Sequence, residues 1–575
     1  MSYSNKDNIN LLTALLVAHH VCQAVVCPGS RNAPIVHNLH AHPDISCLPV
    51  TDERSAGFYA LGMAQALRQP VVVCVTSGTA LLNLAPAVAE AYYQHVPLIV
   101  VSADRPRAWI DQLDGQTLRQ DGALAPFVCK SVSLPEDISS ATAHWYANRM
   151  VNEALLASIQ PQWGPVHINV PISEPLFEFG VTALPVERAI THWRSKADTI
   201  LVSRLWDRMM RPDIRRPMVV FGQSFVDLND REMQMAMQLL SRFCVTVSER
   251  LCNLPTAYTH AEEVLLMNGD DDSMLPDFVL YMGDMLVSKR MRQFLRRAEN
   301  AEVIMVSPDG RVHDTTMHMD AIVEAEPTEL LRGLLHVSGD AAARMDVSVE
   351  MSSSLEIPVG RIPYLEKWKE LHAMAEQLVE EQEPPYSQMA AVRYFEQQLE
   401  DMEYDFAVHY ANSSAVRLAN IFAWHHVYVN RGVNGIEGTL STAAGFSVVS
   451  GKRVFCVIGD LSFFYDQNAL WNSNLNGNLR IILLNNGKGG IFDMLSGLEQ
   501  SEAGDMVSGV HHTSAQGICT QNDIGYLRAS NMAELQVGIV TLLTEERQRP
   551  MVLEIFTDAE TDADVFREFQ HVFEI

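Results

Sequence analysis

The sequence predicts an α/β protein made of three doubly wound parallel sheets in series, and three observations carry that prediction. Short continuous apolar runs, among them "VVVCV", "PLIVVSA" and "LRIILLNN", recur along the chain and have the character of strands buried on both faces. Segments of helical periodicity separate them, so strand and helix alternate as they do around parallel sheets. Nearly every unusual polar or glycine-rich motif follows directly on an apolar run, at the edge where open parallel sheets receive ligands.

The first domain is expected over 1–185. It opens with a helix carrying the apolar stripe Leu11, Leu12, Leu15 and Leu16, then a strand ending at Cys27 and the polar turn "PGSRNAP". A strand runs into "TDER", and a helix follows from Ser55 to Leu67. The strand "VVVCV", the turn "TSGTA", another helix, the strand "PLIVVSA" and the strand in "GPVHINVP" complete the series. A shorter series, 186–365, consists of "PMVVFG", a Met-rich helix near Met233 to Leu240, "CVTVSE", "DFVLYMGD" and "AEVIMVSPDG". Its methionines read as adaptable core filling. Residues 338–360 have the composition of a linker. The third domain, 366–575, begins with a helix from Met389 to Leu399 and a strand at Val408. "HVYVNRG", the Gly/Ala-rich "GTLSTAAGFSVVSG", the strand "VFCVIGD", a helix from Phe464 to Asn474, the strand "LRIILLNN" and a closing strand "MVLEIF" follow. A chain of 575 residues is too long for one core, so a division of this kind is required.

Composition excludes several function classes. With 42 Lys+Arg against 70 Asp+Glu the formal charge is −28, which repels nucleic acid and acidic membrane surfaces, and neither is expected as a partner. An anionic ligand must be held by local arginines against that field. No apolar run approaches the roughly eighteen residues of a membrane span, and "MSYSNKDNIN" lacks the basic-then-apolar order of a secretion signal, so a cytoplasmic protein is expected. The nine cysteines show no C-x-x-C spacing, and Cys27, Cys74 and Cys456 lie in or beside apolar runs, which points to buried thiols rather than disulfides or zinc. The His-His pairs beginning at His19, His425 and His511 are adjacent in sequence, diverge on any regular element, and are not read as metal ligands.

Two strand ends carry the chemistry. In "VIGDLSFF", Gly459 permits close backbone approach, Asp460 is placed to hold a divalent cation, and the amides of Leu461 and Ser462 favour phosphate. In "LLNNGKGGIF", Asn486 ends the next strand. On neighbouring rims one carboxylate, one amide oxygen and a nearby carbonyl, with phosphate oxygens and water, make an octahedron for Mg²⁺.

A Gly-Asp followed some two dozen residues later by Asn-Asn resembles the fingerprint of thiamine-diphosphate enzymes, in which Mg²⁺ anchors the cofactor's diphosphate. With "CPGSRNAP", "TDERSAGFYALG", "VTSGTA", "ADRP", "HINVPISEPL", "NSSAVR" and "NRGVNGIEGTLSTAAG", the chain looks like the 2-succinyl-5-enolpyruvyl-6-hydroxy-3-cyclohexene-1-carboxylate synthases of menaquinone biosynthesis. The likeness covers the first and third domains almost entirely, and in the middle rests on "MGDMLVSKR".

The resemblance implies that 2-oxoglutarate is decarboxylated on thiamine diphosphate and that its succinyl carbanion equivalent adds to isochorismate. It implies Asp460, Asn486 and the Lys488 carbonyl as ligands of Mg²⁺ (or Mn²⁺). Cofactor contacts fall to Ser77, Ser413, Ile436, Gly459, Leu461 and Ser462, with Glu53 opposite the pyrimidine ring as the proton-relay acid. Both substrates are dianions, for which arginine gives bidentate grips. The implied substrate set is Ser30, Arg31, Arg105, Gln116, Lys289, Arg290, Ser413, Arg417 and Arg431, with Arg31, Gln116, Arg417 and Arg431 also catalytic. Ile491, Phe492 and Leu495 make an apolar wall, and Gly435 and Gly438 serve backbone approach to the cofactor. Departures from the family pattern are Leu461, Gly115, Asn32, Ala33 and Lys488. A homo-oligomer, dimer or tetramer, is implied, with each cofactor between the first domain of one subunit and the third of its partner. The competing readings are an acetolactate-synthase-type carboligase or decarboxylase, and a noncatalytic nucleotide-binding regulator. Absence of Gly-x-Gly-x-x-Gly in the middle domain speaks against the FAD of the former, and retention of Glu53 against the latter.

Overall fold

A computed structural model describes residues 2–574 except 161, 194–197, 225–229, 253, 255, 269, 345–355 and 495–500. Three all-parallel sheets follow one another, as the alternating pattern requires. The first contains β1 (Gln23–Val26), β2 (Ser46–Pro49), β3 (Val71–Val75), β4 (Leu98–Asp104), β5 (Lys130–Ser133) and β6 (Val166–Pro171), in the order β2-β1-β3-β4-β6-β5. The second contains β7 (Pro217–Phe221), β8 (Val245–Ser248), β9 (Phe278–Met282), β10 (Glu302–Val306) and β11 (Met319–Val323), in the order β11-β10-β9-β7-β8. The third contains β12 (Phe406–Tyr410), β13 (Val427–Tyr428), β14 (Arg453–Gly459), β15 (Leu479–Asn485), β16 (Gly525–Ala529) and β17 (Met551–Phe556), in the order β13-β12-β14-β15-β17-β16. Central strands such as β3, β4 and β15 are buried at every residue, which is why they read as unbroken apolar runs. Three edge strands, β5, β11 and β16, carry no such run and escape a reading based on it.

The order reverses between β1 and β3 in the first sheet and between β12 and β14 in the third. Each reversal opens a crevice beyond the carboxyl ends of the strands. The first and third sheets share one continuous apolar core. Their join is the crossing of helix Glu53–Leu67 with helix Thr439–Val449, the Gly/Ala-rich segment. A β-carbon on Gly62 would lie 1.9 Å from the Thr442 carbonyl oxygen, and one on Gly445 would lie 2.0 Å from that of Tyr59. Only glycine at these two positions allows the backbones to touch. Ser55 and Ser441 hydroxyls meet across the crossing at 2.8 Å. The middle sheet keeps its own cores, in which Met218, Met233, Met237 and Met282 are buried.

Two expectations need correction. The helix expected from Phe464 to Asn474 is a short helix Asp460–Tyr465 followed by a 3₁₀ turn Gln467–Leu470. The break comes at buried Asp466, whose carboxylate accepts from the Ser441 amide at 2.7 Å and its hydroxyl at 2.8 Å. The linker expected over 338–360 begins inside helix Pro327–Arg344. Near its far end Arg361 is fully buried and donates to the carbonyls of Met209, Ile214 and Phe243. Gly438 has φ 84° and packs against the Phe58 ring, and the space beside Gly435 is taken by the Glu437 carboxylate. A side chain at either position would collide with these groups. All nine cysteines are free, and Cys27, Cys74, Cys244, Cys252, Cys456 and Cys519 are buried. Among the described residues no helix is long and apolar enough to cross a membrane.

Candidate active site

Strand β14 delivers Gly459 and Asp460 to the crevice of the third sheet, and its neighbour β15 delivers Asn485 and Asn486, since Gly459 pairs with Leu484. Asp460 is buried, and its Oδ2 accepts from the amides of Asn486 at 3.1 Å and Gly487 at 2.8 Å. Its Oδ1 accepts from the Leu461 amide at 2.6 Å, so that N–H, expected to face phosphate, is taken. Burial raises the Asp460 carboxyl above its ordinary pKa, and His511 opposes the shift, its Nε2 lying 3.4 Å from Oδ2. Asn486 donates its Nδ2 to Asp562 at 3.2 Å, which fixes the amide, while its Oδ1 accepts one long 3.4 Å bond from the Lys488 amide. Asp562 is anchored in turn by the Thr557 hydroxyl and the Gln388 amide. Glu554 holds Asn485 through a 2.8 Å bond to its Nδ2.

Asp460, Asn486 and Lys488 border a cavity of about 460 Å³. From the turn after β12 come Asn412 and Ser413, and from the helix Ser414–Phe422 that follows, Arg417; from the segment after β13 come Arg431, Asn434 and Ile436. Gly459 to Ser462, Asn486, Lys488, Ile491 and Phe492 close the remaining sides. A β-carbon on Gly459 would meet nothing within 4 Å, so the strand end opens onto free space. Among the described lining residues, Arg417, Arg431 and Lys488 stand against the one carboxylate of Asp460, a local excess of positive charge in a chain of formal charge −28. Ile436 remains 41% exposed although it is a large apolar residue. Burial lowers the pKa of the Arg431 guanidinium; Glu249 and Glu90 act the other way, whereas Arg417 and Arg292 add to the fall. Arg431 donates to Asn412 Oδ1 at 3.2 Å. It also borders a second cavity of 570 Å³ between the first and middle domains, whose lining lacks the Asp–Asn pair.

The residues expected from the first domain gather at the other crevice. Ser30 and Arg31 follow β1, Ser77 follows β3, and Arg105 follows β4. Arg31 is buried, donating to the Ile172 carbonyl at 3.0 Å and to Glu174 at 3.3 Å. Arg105 pairs with Asp114 at 2.9 Å and donates to the Gly115 carbonyl at 3.0 Å. Gln116, exposed and with φ 61°, stands beside the Gly78 turn. Glu53 is the first residue of its helix, half-buried and bonded to Asn83 at 3.3 Å. It does not line the third-sheet cavity. The expected proton-relay acid is therefore partly exposed within one chain. Lys289 and Arg290 stand exposed at the start of helix Lys289–Arg297. Leu495 lies outside the described residues.

Sequence reasoning missed Asn412 and Asn434, which lie inside the motifs "NSSAVR" and "NRGVNG" but were passed over for their charged neighbours. It also missed Asp562 and Glu554, which act from helix Ala559–His571 and β17, far along the chain from the residues they orient. Asn32, a departure from the family pattern, is fully buried and donates to the Cys27 carbonyl at 2.8 Å, holding the end of β1.

Residues 9–123 match the family model described as thiamine pyrophosphate enzyme, N-terminal TPP binding domain. Over 581 residues the chain is 41% identical to the 2-succinyl-5-enolpyruvyl-6-hydroxy-3-cyclohexene-1-carboxylate synthase of Bacteroides fragilis, with 99% of each chain covered. It is 40% identical to that of Bacteroides thetaiotaomicron, again over 99% of both. The synthase of Desulfotalea psychrophila is 34% identical over 96% of this chain and 98% of its own. Likeness of this extent, together with a crevice that presents an aspartate and an asparagine on adjacent strand ends, shows that the chain belongs to the thiamine-diphosphate-dependent 2-succinyl-5-enolpyruvyl-6-hydroxy-3-cyclohexene-1-carboxylate synthase family.

Proposed function

We propose that the protein catalyses its family's reaction as a carboligase: 2-oxoglutarate loses CO2, and the remaining succinyl unit is joined to isochorismate by 1,4-addition in menaquinone biosynthesis. The observation that carries this reading is the meeting, in one crevice, of an oxygen pair suited to a hard cation, two arginines and an apolar wall. Asp460, Asn486 Oδ1 and the Lys488 carbonyl would hold Mg²⁺ or Mn²⁺, an all-oxygen set of the kind such ions take. The open strand end at Gly459 leaves room for the diphosphate. Thiamine diphosphate, when bound, would supply a nucleophilic ring carbon and a cationic ring that takes up the electron pair released by decarboxylation.

The chain's own residues do the rest. Arg417 and Ser413 grip the distal carboxylate of 2-oxoglutarate; Arg31, Arg105, Gln116, Lys289, Arg290 and Arg431, with Ser30, receive isochorismate. Ile436, Ile491 and Phe492 exclude water. Glu53, which does not line the cavity of its own chain, completes the cavity of a second copy and holds a proton there on its carboxyl group. Ser77 contacts the cofactor from the same sheet edge, after β3. The working unit is therefore at least a dimer, and a tetramer doubles that arrangement.

Incubation with 2-oxoglutarate, isochorismate, thiamine diphosphate and Mg²⁺, followed by mass analysis, tests the reading. Loss of isochorismate with gain of the succinyl adduct and CO2 is expected. Intact isochorismate beside acetolactate formed from pyruvate would move the chain to another carboligase class. Glu53→Gln should abolish turnover and leave the melting curve unchanged; undiminished turnover would remove Glu53 from the relay.

A further inference from the structure

Two buried glutamates outside the reaction site each grip a pair of consecutive backbone amides. Glu90, in helix Ala85–Tyr93 of the first domain, accepts from the amides of Gly432 and Val433, both at 2.7 Å. Glu249, just after β8 in the middle domain, accepts from the amides of Val287 and Ser288 at 2.6 and 2.7 Å. The gripped segments are those that carry cations: Gly432 follows Arg431, and Ser288 precedes Lys289 and Arg290. Gly432 also lies flat on the first-domain helix, where an added β-carbon would come within 2.8 Å of the Glu90 carbonyl oxygen. On its other side the loop is held by Asn412, which donates to the carbonyls of Asn430 at 2.6 Å and Gly435 at 2.8 Å. Arg431, between these clamps, has a buried Nε without a partner among the described residues.

We propose that Glu90 and Glu249 are positioning residues for the substrate-facing cations: each fixes a cation-bearing loop by a two-amide carboxylate clip, Glu90 tying the first domain to the loop that carries Arg431 and Glu249 closing the middle-domain turn that leads into Lys289 and Arg290. This rests on reading Arg431 as a cation that faces substrate. A carboxylate is required because both its oxygens accept; glutamine offers one acceptor and turns its NH2 toward the second amide hydrogen. Burial raises the pKa of both glutamates, that of Glu249 to about 7, yet each keeps its pair of charge-assisted bonds, the stronger class of hydrogen bond. Fixing a loop in this way matters because a displacement of about 1 Å at a reacting geometry costs on the order of a hundredfold in rate.

A double-mutant cycle on the full-length holoenzyme, saturated with thiamine diphosphate and Mg²⁺, separates positioning from a plain structural role. Wild type, Glu90→Gln, Arg431→Met and the double variant are compared by kcat/KM for isochorismate and for 2-oxoglutarate, with melting curves run alongside. Glu90→Gln is expected to lower kcat/KM about tenfold or more, and to lower it no further once Arg431 is methionine. Independent losses that multiply would overturn the proposal, as would an undiminished Glu90→Gln. If Arg431→Met alone changes nothing, the reading of Arg431 fails and the proposal falls with it. Should Glu90→Gln lose its cooperative melt, Glu249→Gln is taken through the cycle with Lys289→Met in place of Arg431→Met, and multiplying losses there overturn the proposal equally.

Discussion

The crossing of the two domain-joining helices should not tolerate a single added methyl group. Gly62→Ala places a β-carbon 1.9 Å from the Thr442 carbonyl oxygen, while real β-carbons essentially never approach within 3.0 Å. The helices must therefore separate by at least 3.0 − 1.9 = 1.1 Å, or bend by as much. A gap of about 1 Å forfeits roughly half the dispersion attraction of the atoms along the seam, and the crossing is lined by fully buried Tyr59, Met63, Leu440, Ala443 and Ala444. The Ser55–Ser441 hydroxyl bond, 2.8 Å long, stretches beyond reach, a loss of about 1 kcal/mol. With about 1–3 kcal/mol for overpacking, a destabilisation of roughly 3 kcal/mol is expected. Urea unfolding of Gly62→Ala should show an earlier first transition than wild type, and kcat/KM should fall because the helix begins at Glu53. Gly517→Ala is the control: its β-carbon meets nothing within 4 Å, and alanine in a helix should be neutral or up to about 1 kcal/mol stabilising. A Gly62→Ala protein as stable as this control would refute the reasoning.

Two further outcomes are expected. Asp460→Asn puts an NH2 group where Oδ2 now accepts two amides, and calorimetric titration with thiamine diphosphate in Mg²⁺ should show at least about tenfold weaker binding; an unchanged affinity would remove Asp460 from the metal site. Asp466 has its carboxyl pushed up to about 7 from 3.8 by burial, so the folded chain holds this proton where the unfolded chain releases it. Its contribution to stability is greatest below pH 3.8 and falls as pH rises towards about 7. The melting temperature of wild type relative to Asp466→Asn should decline across that window, and a flat difference would show that Asp466 does not titrate there.

Much of the fold was legible because the physics behind it is local. An all-buried strand must be apolar throughout, so "VVVCV" and "LRIILLNN" announced themselves, and polar residues after such runs marked the strand ends where Asp460 and Asn486 stand. Edge strands β5, β11 and β16 were not legible, since one-sided exposure removes the signal. The helix break at Asp466 was not legible either, because the bond that makes it reaches back to Ser441.

The amino-acid order by itself determined the sheet class, the family and the strand ends at which Asp460 and Asn486 stand, all properties of short stretches read in place. Only tertiary structure decided that Gly62 and Gly445 are where two domains touch, that Asp562 orients Asn486, and that Glu90 clips the loop bearing Arg431. Each of these is a contact between residues far apart in the chain. Its strength depends on distances of tenths of an ångström, which no pattern of neighbours along a sequence encodes.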